Sequence, residues 1–211
     1  TIISGGLIGY IIGPYISGFM TFLGEVINNA TMLTPLPMGI LVAVIVGMAL
    51  TAPISSAALC IMLDLSGIAA GAACAGCCAQ MIGFAVASIK DNGVGSFFSV
   101  GLGTSMLQFS NIMKRPAIWI APTVASAITG PLSTTVFAMT NTAVGAGMGT
   151  SGLVGQFGAA SVMADSVGIP ATAFSIALIH FILPAVITLA VNALLYKAQI
   201  IRLGDLKLEK L

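Results

Sequence analysis

The chain has 211 residues, of which 58% are hydrophobic and 6% charged, with a formal net charge of +1 and a mean hydropathy of +1.11. Soluble domains carry about 25% charged residues, so this composition excludes a water-soluble globular protein. It also contains no basic, aromatic-interleaved patch, which excludes nucleic acid as a partner. We therefore expect an all-α polytopic protein whose partner is the lipid bilayer, with closely packed and often broken helices because 25 residues are Gly and 9 are Pro.

The first half of the chain predicts three membrane spans. They are Ile2–Leu23, Met38–Met62 and Ile68–Ile89. The polar stretch Glu25–Pro37 is expected to connect the first two spans. Pro53, with Ser55 and Ser56 after it, predicts a kink or break inside the second span. Asp64–Gly67 is a turn, and small residues at a spacing of four after it predict close helix packing on one face of the third span.

The second half predicts two more spans, for about five in total, together with two re-entrant hairpins. The spans are Pro116–Met139 and Pro170–Lys197, and the hairpins are residues 97–113 and 141–169. Residues 97–113 are too short and too often interrupted by Gly and polar side chains for a good spanning helix. Such backbone is tolerated at membrane depth where surrounding protein protects it. Arg202–Leu211 is expected to be a short, charged, amphipathic tail.

Both hairpins contain the same phrase, G-x-G-T-S-x-L followed closely by Gln-Phe. We call Gly101–Phe109 the first Gly-Thr-Ser loop and Gly147–Phe157 the second. One predicted span separates them, so the two loops are expected to enter from opposite membrane faces. This is the pattern of an inverted repeat, in which irregular backbone from each face builds a site near the midplane.

The basic residues give the predicted orientation. All seven lie near the ends of predicted spans: Lys90, Lys114, Arg115, Lys197, Arg202, Lys207 and Lys210. If residues 97–113 are re-entrant, all seven lie on one side of the membrane. The positive-inside tendency makes that side cytoplasmic.

The Gly-Thr-Ser loops are also the predicted solute site, because unwound backbone, hydroxyls and amides suit a neutral polar solute such as a sugar. The candidate residues are Gly103, Thr104, Ser105, Gln108, Asn111, Gly149, Thr150, Ser151 and Gln156, with Gln80 from the third span. An alternative is that these groups only satisfy the broken backbone and pack the hairpins together. Gln80 is expected either to bond a neighbouring helix or to face the cavity.

Two ionisable residues are further candidates, for a coupling-ion or proton site. Asp165 is the only acid in the second hairpin, although it can equally lie at the outer surface. His180 lies in the last span, where a lone His is commonly a hydrogen-bonded packing residue. The four cysteines are interpreted as small packing residues, so no metal and no cofactor is expected. They are Cys60, Cys74, Cys77 and Cys78.

Three runs carry a resemblance to a bacterial family. They are Gly71-Ala-Ala-Cys-Ala-Gly-Cys-Cys-Ala-Gln-Met-Ile-Gly-Phe84, Gly103-Thr-Ser-Met-Leu-Gln-Phe-Ser-Asn111 and Gly145-Ala-Gly-Met-Gly-Thr-Ser-Gly-Leu-Val-Gly-Gln156. The chain resembles the EIIC-like membrane proteins of the phosphotransferase system, including the perfringolysin-regulator type. The resemblance implies one EIIC-like domain over residues 1–211, in the bacterial cytoplasmic membrane and forming a homodimer. It also implies that a further N-terminal membrane region belongs to such proteins, and that cytoplasmic phosphoryl-carrier subunits are partners.

The leading hypothesis is a transport subunit that passes a small neutral solute between the two loops. The alternatives are a membrane sensor that kept the fold without transport and a purely structural protein. The better-known sugar-transporting relatives use a Glu and a His near the sugar. Here the glutamates are Glu25 and Glu209, in polar end regions, and the only His is His180. An enzyme that acts alone is not expected, because phosphorylation would need separate carrier subunits.

Overall fold

The computed structural model describes the backbone of residues 2–208 and the side chains of residues 14–15 and 17–208. The described range does not include Thr1, Glu209, Lys210 and Leu211. The predictions made for Glu209 and Lys210 therefore fall outside it. Over the described range the chain is all-helical and contains no strand. The predicted all-α class is therefore confirmed.

Eleven α-helices follow one another in the described range. They are α1 (Ile2–Leu33), α2 (Pro35–Thr51), α3 (Ser56–Met62), α4 (Gly67–Asn92), α5 (Val94–Phe98), α6 (Phe109–Lys114), α7 (Ile120–Pro131), α8 (Ala143–Met148), α9 (Val154–Val167), α10 (Ile169–Ile176) and α11 (Leu183–Lys197). Three π-helical turns, Ser99–Gly103, Leu132–Val136 and Ala177–Ile182, extend α5, α7 and α10. Short 3₁₀ turns cover Ser105–Gln108, Pro116–Trp119 and Ser151–Leu153.

Helix α4 forms the centre of the fold. It packs against α2, α7, α8 and α11, and it contributes residues to each of the three apolar core clusters. Small side chains allow this, because they let neighbouring backbones approach closely. A Cβ at Gly76, for example, would overlap the carbonyl oxygen of Ala43 in α2. The predicted third span is confirmed as a helix, and its close packing follows from its Gly, Ala and Cys content.

Two helical stretches of the described chain are long and apolar enough to cross a membrane. One is α4, and the other is the continuous helix from Ile169 to Lys197. They differ in environment, since α4 is mostly buried while the second stretch exposes large apolar side chains such as Phe174 and Val186. An outer helix with apolar residues on its exposed face suits contact with lipid.

The predicted connection at Glu25–Pro37 is wrong. Helix α1 continues to Leu33, and only Thr34 separates it from α2. The polar residues in this region are accommodated in the helix by hydrogen bonds. Asn28 donates to the carbonyl of Asp64 (3.0 Å) and accepts from the backbone N–H of Ser66 (3.2 Å). These bonds fix the turn before α4. A polar residue that predicted a loop therefore lies in a helix and makes tertiary hydrogen bonds.

The predicted break inside the second span is confirmed. Helix α2 ends at Thr51, and α3 begins at Ser56 after four non-α-helical residues that include Pro53. The side chain of Ser55 caps α3 by accepting a bond from the N–H of Ala58 (3.3 Å). The predicted fourth span is helical only from Pro116 to Val136, in three connected pieces, and ends before Met139.

The C-terminal tail, which we define as Arg202–Leu208, docks on the protein. Its residue Leu206 is buried in the cluster that contains Phe84 and Val100. The carboxylate of Asp91 accepts bonds from the N–H groups of Gly204 (3.0 Å) and Leu206 (3.1 Å). The described part of the predicted tail is an irregular segment that is fixed by side chains from the end of α4.

Candidate functional site

The two Gly-Thr-Ser loops meet in the structure. The hydroxyl of Thr150 donates to the carbonyl of Gly101 (2.5 Å), and the hydroxyl of Ser151 donates to the carbonyl of Gly103 (2.9 Å). In both cases the second loop supplies the donor and the first loop the backbone acceptor. Hydroxyl groups of the second loop therefore supply hydrogen-bond donors to backbone carbonyls of the first loop, where the helix is interrupted.

Each loop interrupts a helical segment, but by a different local conformation. In the first loop Thr104 is extended (φ −159°, ψ 138°), and its hydroxyl accepts from the N–H of Met106 (3.2 Å). In the second loop Gly149 has φ +55° and Leu153 has φ +59°. A Cβ at Gly149 would also lie 2.8 Å from backbone and side-chain atoms of Cys77, so this position requires glycine for both conformation and space.

A cavity of about 150 Å³ lies where the loops meet the break between α2 and α3. It is lined by Leu50, Ile54, Ser55, Ser56, Ala57, Met81, Gly103, Thr104, Met106, Met148 and Ser151. None of these residues is charged, and the polar ones offer hydroxyls. Hollows of about 350 to 450 Å³ beside the C-terminal tail are larger and are open to the surface to a similar degree. Ligand pockets commonly reach about 300–1,000 Å³, so in this conformation the cavity between the loops is smaller than a typical ligand pocket.

Ser105 and Gln80 belong to a buried network beside the cavity. The Ser105 hydroxyl lies 2.9 Å from that of Thr51, which lies 3.3 Å from Gln80 Oε1. The same oxygen accepts from the indole N–H of Trp119 (3.0 Å), and Gln80 Nε2 donates to Thr123 (3.3 Å) and Ser126 (3.4 Å). Every hydrogen-bonding position of the Gln80 amide is used between helices, which favours the helix-bonding alternative for this residue.

Gln108 and Asn111 both form hydrogen bonds to the C-terminal tail. Gln108 Nε2 donates to the carbonyl of Leu206 (3.0 Å), while Asn111 Nδ2 donates to Gln108 Oε1 (2.7 Å) and to the carbonyl of Lys207 (3.0 Å). Both amides therefore have protein partners, and neither lines the cavity between the loops. The contacts anchor the exit of the first loop to the tail.

Gln156 of the second loop points instead at a buried sulfur and imidazole cluster. Its Nε2 lies 3.3 Å from Cys78 Sγ and 3.2 Å from His180 Nδ1. The Sγ atoms of Cys74 and Cys78 and a ring nitrogen of His180 all lie within 4.8 Å of one another. His180 is fully buried, and both its Nε2 and Gln156 Oε1 lack a hydrogen-bond partner.

The sequence favours packing roles for the four cysteines and therefore does not predict this cluster. The residues that share a helix face are Cys74 and Cys78, one turn apart, and the nearby His comes from the last span. The i, i+4 spacing of the two cysteines was the only local signal. Asp165, in contrast, is exposed in the last turn of α9 and lies outside the residues that line the cavity, which favours its surface alternative.

Comparison with known proteins gives one family. A family model described as "Phosphotransferase system, EIIC" matches residues 1–208. No curated protein and no solved structure matches the chain significantly. The matched range includes both Gly-Thr-Ser loops, the cavity, the cysteine and histidine cluster and the C-terminal tail.

Proposed function

The chain belongs to the phosphotransferase system EIIC family, and from this premise we propose that it passes a small neutral polar solute through a site between its two Gly-Thr-Ser loops. Family membership itself makes the chain a membrane component with a transport-related function. The solute class and the location of the site are the proposal. We infer that the solute is a sugar or a similar polyhydroxylated molecule.

The observation that carries the proposal is the contact between the loops at a common cavity. Ser151 and Gly103 are bonded to each other and both line the cavity, together with Thr104. A pathway that opens and closes at this place needs only to separate the two loops. Alternating exposure by movement of one half against the other is the usual mode of transporters built from repeats.

The lining supports a neutral solute. Its hydroxyls and backbone carbonyls can donate to and accept from sugar hydroxyls, while its methionines and aliphatic side chains cover the apolar face of a ring. No acidic or basic side chain lines the described cavity. A charged solute would lose its hydration there without a compensating partner, which is costly in a low-dielectric interior. The cavity in this conformation is small, so loading of a sugar requires the loops to move apart.

Contacts at one end of the bundle support the re-entrant path of the first hairpin. Asp91 before it and Gln108 near its exit both bond the same C-terminal tail. Lys90 stacks over Tyr196 (5.9 Å), and Arg115 pairs with Asp205 (3.6 Å). The basic residues of three separate segments thus gather at this end. We propose that this end faces the cytoplasm of a bacterium and that the protein is a multi-pass component of the cytoplasmic membrane.

We divide the candidate residues by role. Direct solute contacts are assigned to Gly103, Thr104 and Ser151, which line the cavity. Positioning of the loops is assigned to the other candidates, Gln80, Ser105, Gln108, Asn111, Gly149, Thr150 and Gln156. Phosphorylation of the solute would require cytoplasmic carrier subunits, because the cavity lining contains no acid or histidine in the described chain. Such carriers, and a second copy of the chain in a homodimer, are the partners we propose.

Counterflow in proteoliposomes tests the proposal. The purified chain is reconstituted with unlabelled monosaccharides or hexitols inside, and uptake of the labelled compound is followed. We expect uptake by the natural chain and a loss of at least about tenfold in Ser151→Leu, which fills the cavity and removes the bond to the first loop. Ser161→Leu is the matched control, because Ser161 is exposed on α9 and bonds only its own helix.

Two outcomes would contradict transport at this site. One is uptake in Ser151→Leu equal to that in Ser161→Leu. The other is a rise in thermal stability with a sugar, without counterflow of any compound tested, which is the behaviour of a sensor.

A further inference from the structure

We propose that Cys74, Cys78 and His180 form a buried binding site for Zn²⁺. The ligand atoms of these residues lie within 4.8 Å of one another, and all three side chains are fully buried. Cys and His are the two commonest zinc ligands in proteins. The site lies beside the second Gly-Thr-Ser loop and does not depend on the proposed solute pathway.

The two sulfur atoms already have the separation that one zinc ion imposes. Cys74 Sγ and Cys78 Sγ lie 3.9 Å apart. Two Zn–S bonds of about 2.3 Å at a tetrahedral angle place the sulfurs about 3.8 Å apart. The i, i+4 spacing on α4 produces this arrangement directly, because residues four apart lie above one another on the same face.

The third ligand comes from an unusual backbone segment. His180 lies in the π-helical turn Ala177–Ile182 between α10 and α11. Such a turn shifts the register of the helix by one residue, and π-turns occur often at functional sites. Here the turn places a fully buried imidazole beside the thiols, with one of its ring nitrogens within 4.8 Å of both sulfur atoms. A buried imidazole in such a position can complete a ligand set with two thiolates.

Gln156 completes the surroundings of the site. Its amide nitrogen lies beside Cys78 Sγ and His180 Nδ1, and its Oε1 is buried without a partner. The nitrogen can donate to a thiolate, and rotation of the amide would instead present the oxygen as a fourth ligand. Either arrangement connects an ion on α4 to the second Gly-Thr-Ser loop.

Charge balance favours a divalent over a monovalent thiophilic ion. Binding of Zn²⁺ to two thiols releases two protons, so two thiolates and one neutral imidazole give a complex with zero net charge. A monovalent ion such as Cu⁺ would leave one uncompensated negative charge. That charge would be costly in this position, because all three ligand side chains are fully buried.

Metal content and spectroscopy of the full chain in detergent test the site. After incubation with Zn²⁺ and removal of free metal, we expect about one zinc per chain in the natural protein and at most about one tenth of that in Cys74→Ser, Cys78→Ser and His180→Gln. Cys60→Ser and Cys77→Ser are matched controls, because both remove a buried thiol outside the cluster. These controls are expected to keep their zinc.

Co²⁺ substitution gives a readout that does not depend on folding of the variants. The natural chain with Co²⁺ is expected to show a sulfur-to-cobalt charge-transfer band, lost when Zn²⁺ is added. Three results would overturn the proposal: no such band and no retained zinc in the natural chain, unchanged zinc in a folded Cys74→Ser or Cys78→Ser variant, or retention of Cu⁺ with no retention of Zn²⁺.

Discussion

The two Gly-Thr-Ser loops have the same sequence phrase but different surroundings. In the first loop the polar side chains form hydrogen bonds to neighbouring elements: Ser105 bonds Thr51, and Gln108 bonds the C-terminal tail. In the second loop Ser151 bonds only the backbone of the first loop, and Gln156 has a buried oxygen without a partner. The first loop is anchored by its own polar side chains, whereas the second loop is held by bonds from Ser56 and Asn141 to its backbone and retains one buried polar atom without a partner.

This difference teaches that a repeated phrase determines where the backbone breaks but not what its side chains contact. Both phrases end a helix at the Gly-Thr-Ser centre. Their partners are set by the elements that happen to pack nearby, the tail for Gln108 and the sulfur and imidazole cluster for Gln156. If one loop moves during transport, we expect it to be the second, because fewer of its polar groups are satisfied.

The largest contrast is expected at the glycine that directly precedes Thr-Ser in each phrase. Gly149→Ala is expected to destabilise the protein by roughly 2–4 kcal/mol, because φ is +55° and the added methyl group would lie 2.8 Å from Cys77. Gly103→Ala meets nothing within 4 Å and is expected to change the stability by no more than about 1 kcal/mol. Thermal unfolding in detergent measures both. Equal effects would show that the two breaks are alike.

The next contrast concerns the glutamines. Gln108→Ala removes two hydrogen bonds, one to the carbonyl of Leu206 and one from the amide of Asn111, at a cost of about 1–3 kcal/mol, although Asn92 still donates to Leu206 and Asn111 still donates to Lys207. Gln156→Ala removes an amide whose oxygen is already unpaired, so we expect a smaller loss of stability. Denaturation in detergent, without added metal, compares the two variants. A larger loss in Gln156→Ala would contradict the idea that the first loop is the anchored one.

The local breaks and the central helix could be predicted from the sequence. Pro53, Thr104 and Gly149 lie at or beside the observed interruptions because backbone restrictions act locally. The predicted span Ile68–Ile89 lies within the observed α4, because its small residues and apolar composition favour close packing. These features depend on residues a few positions apart, which a sequence displays directly.

The side-chain partners could not be predicted, because they come from distant segments. From the sequence alone, Asn28 suggests a loop. In the structure it lies in a helix, because Asp64 and Ser66 provide partners for its amide. His180 reaches the cysteines of α4 only through a π-turn that changes which side of the helix it occupies. The same applies to the cavity, whose lining comes from α2, α3, α4 and both loops.

Release of the tail tests whether it anchors the first loop. In Asp91→Asn, two backbone N–H groups of the tail lose a charged acceptor, so we expect a loss of about 1–2 kcal/mol. Faster hydrogen exchange is expected at Leu206 and at Gln108, while the second loop stays unchanged. Asp165→Asn, on the exposed end of α9, is the control. Faster exchange confined to the second loop would reverse the assignment of the anchored loop.

The smallest effect is expected at the ion pair between Arg115 and Asp205. The two atoms lie 3.6 Å apart, and the Arg115 side chain is 42% exposed, so water and salt screen the pair. Arg115→Gln is expected to change the stability by less than about 0.5 kcal/mol, and the difference should shrink as salt is raised. Thermal unfolding at low and high salt checks this. A large loss at low salt that disappears at high salt would mean that charge attraction, and not the backbone bonds from Asp91 and Gln108, holds the tail against the first loop.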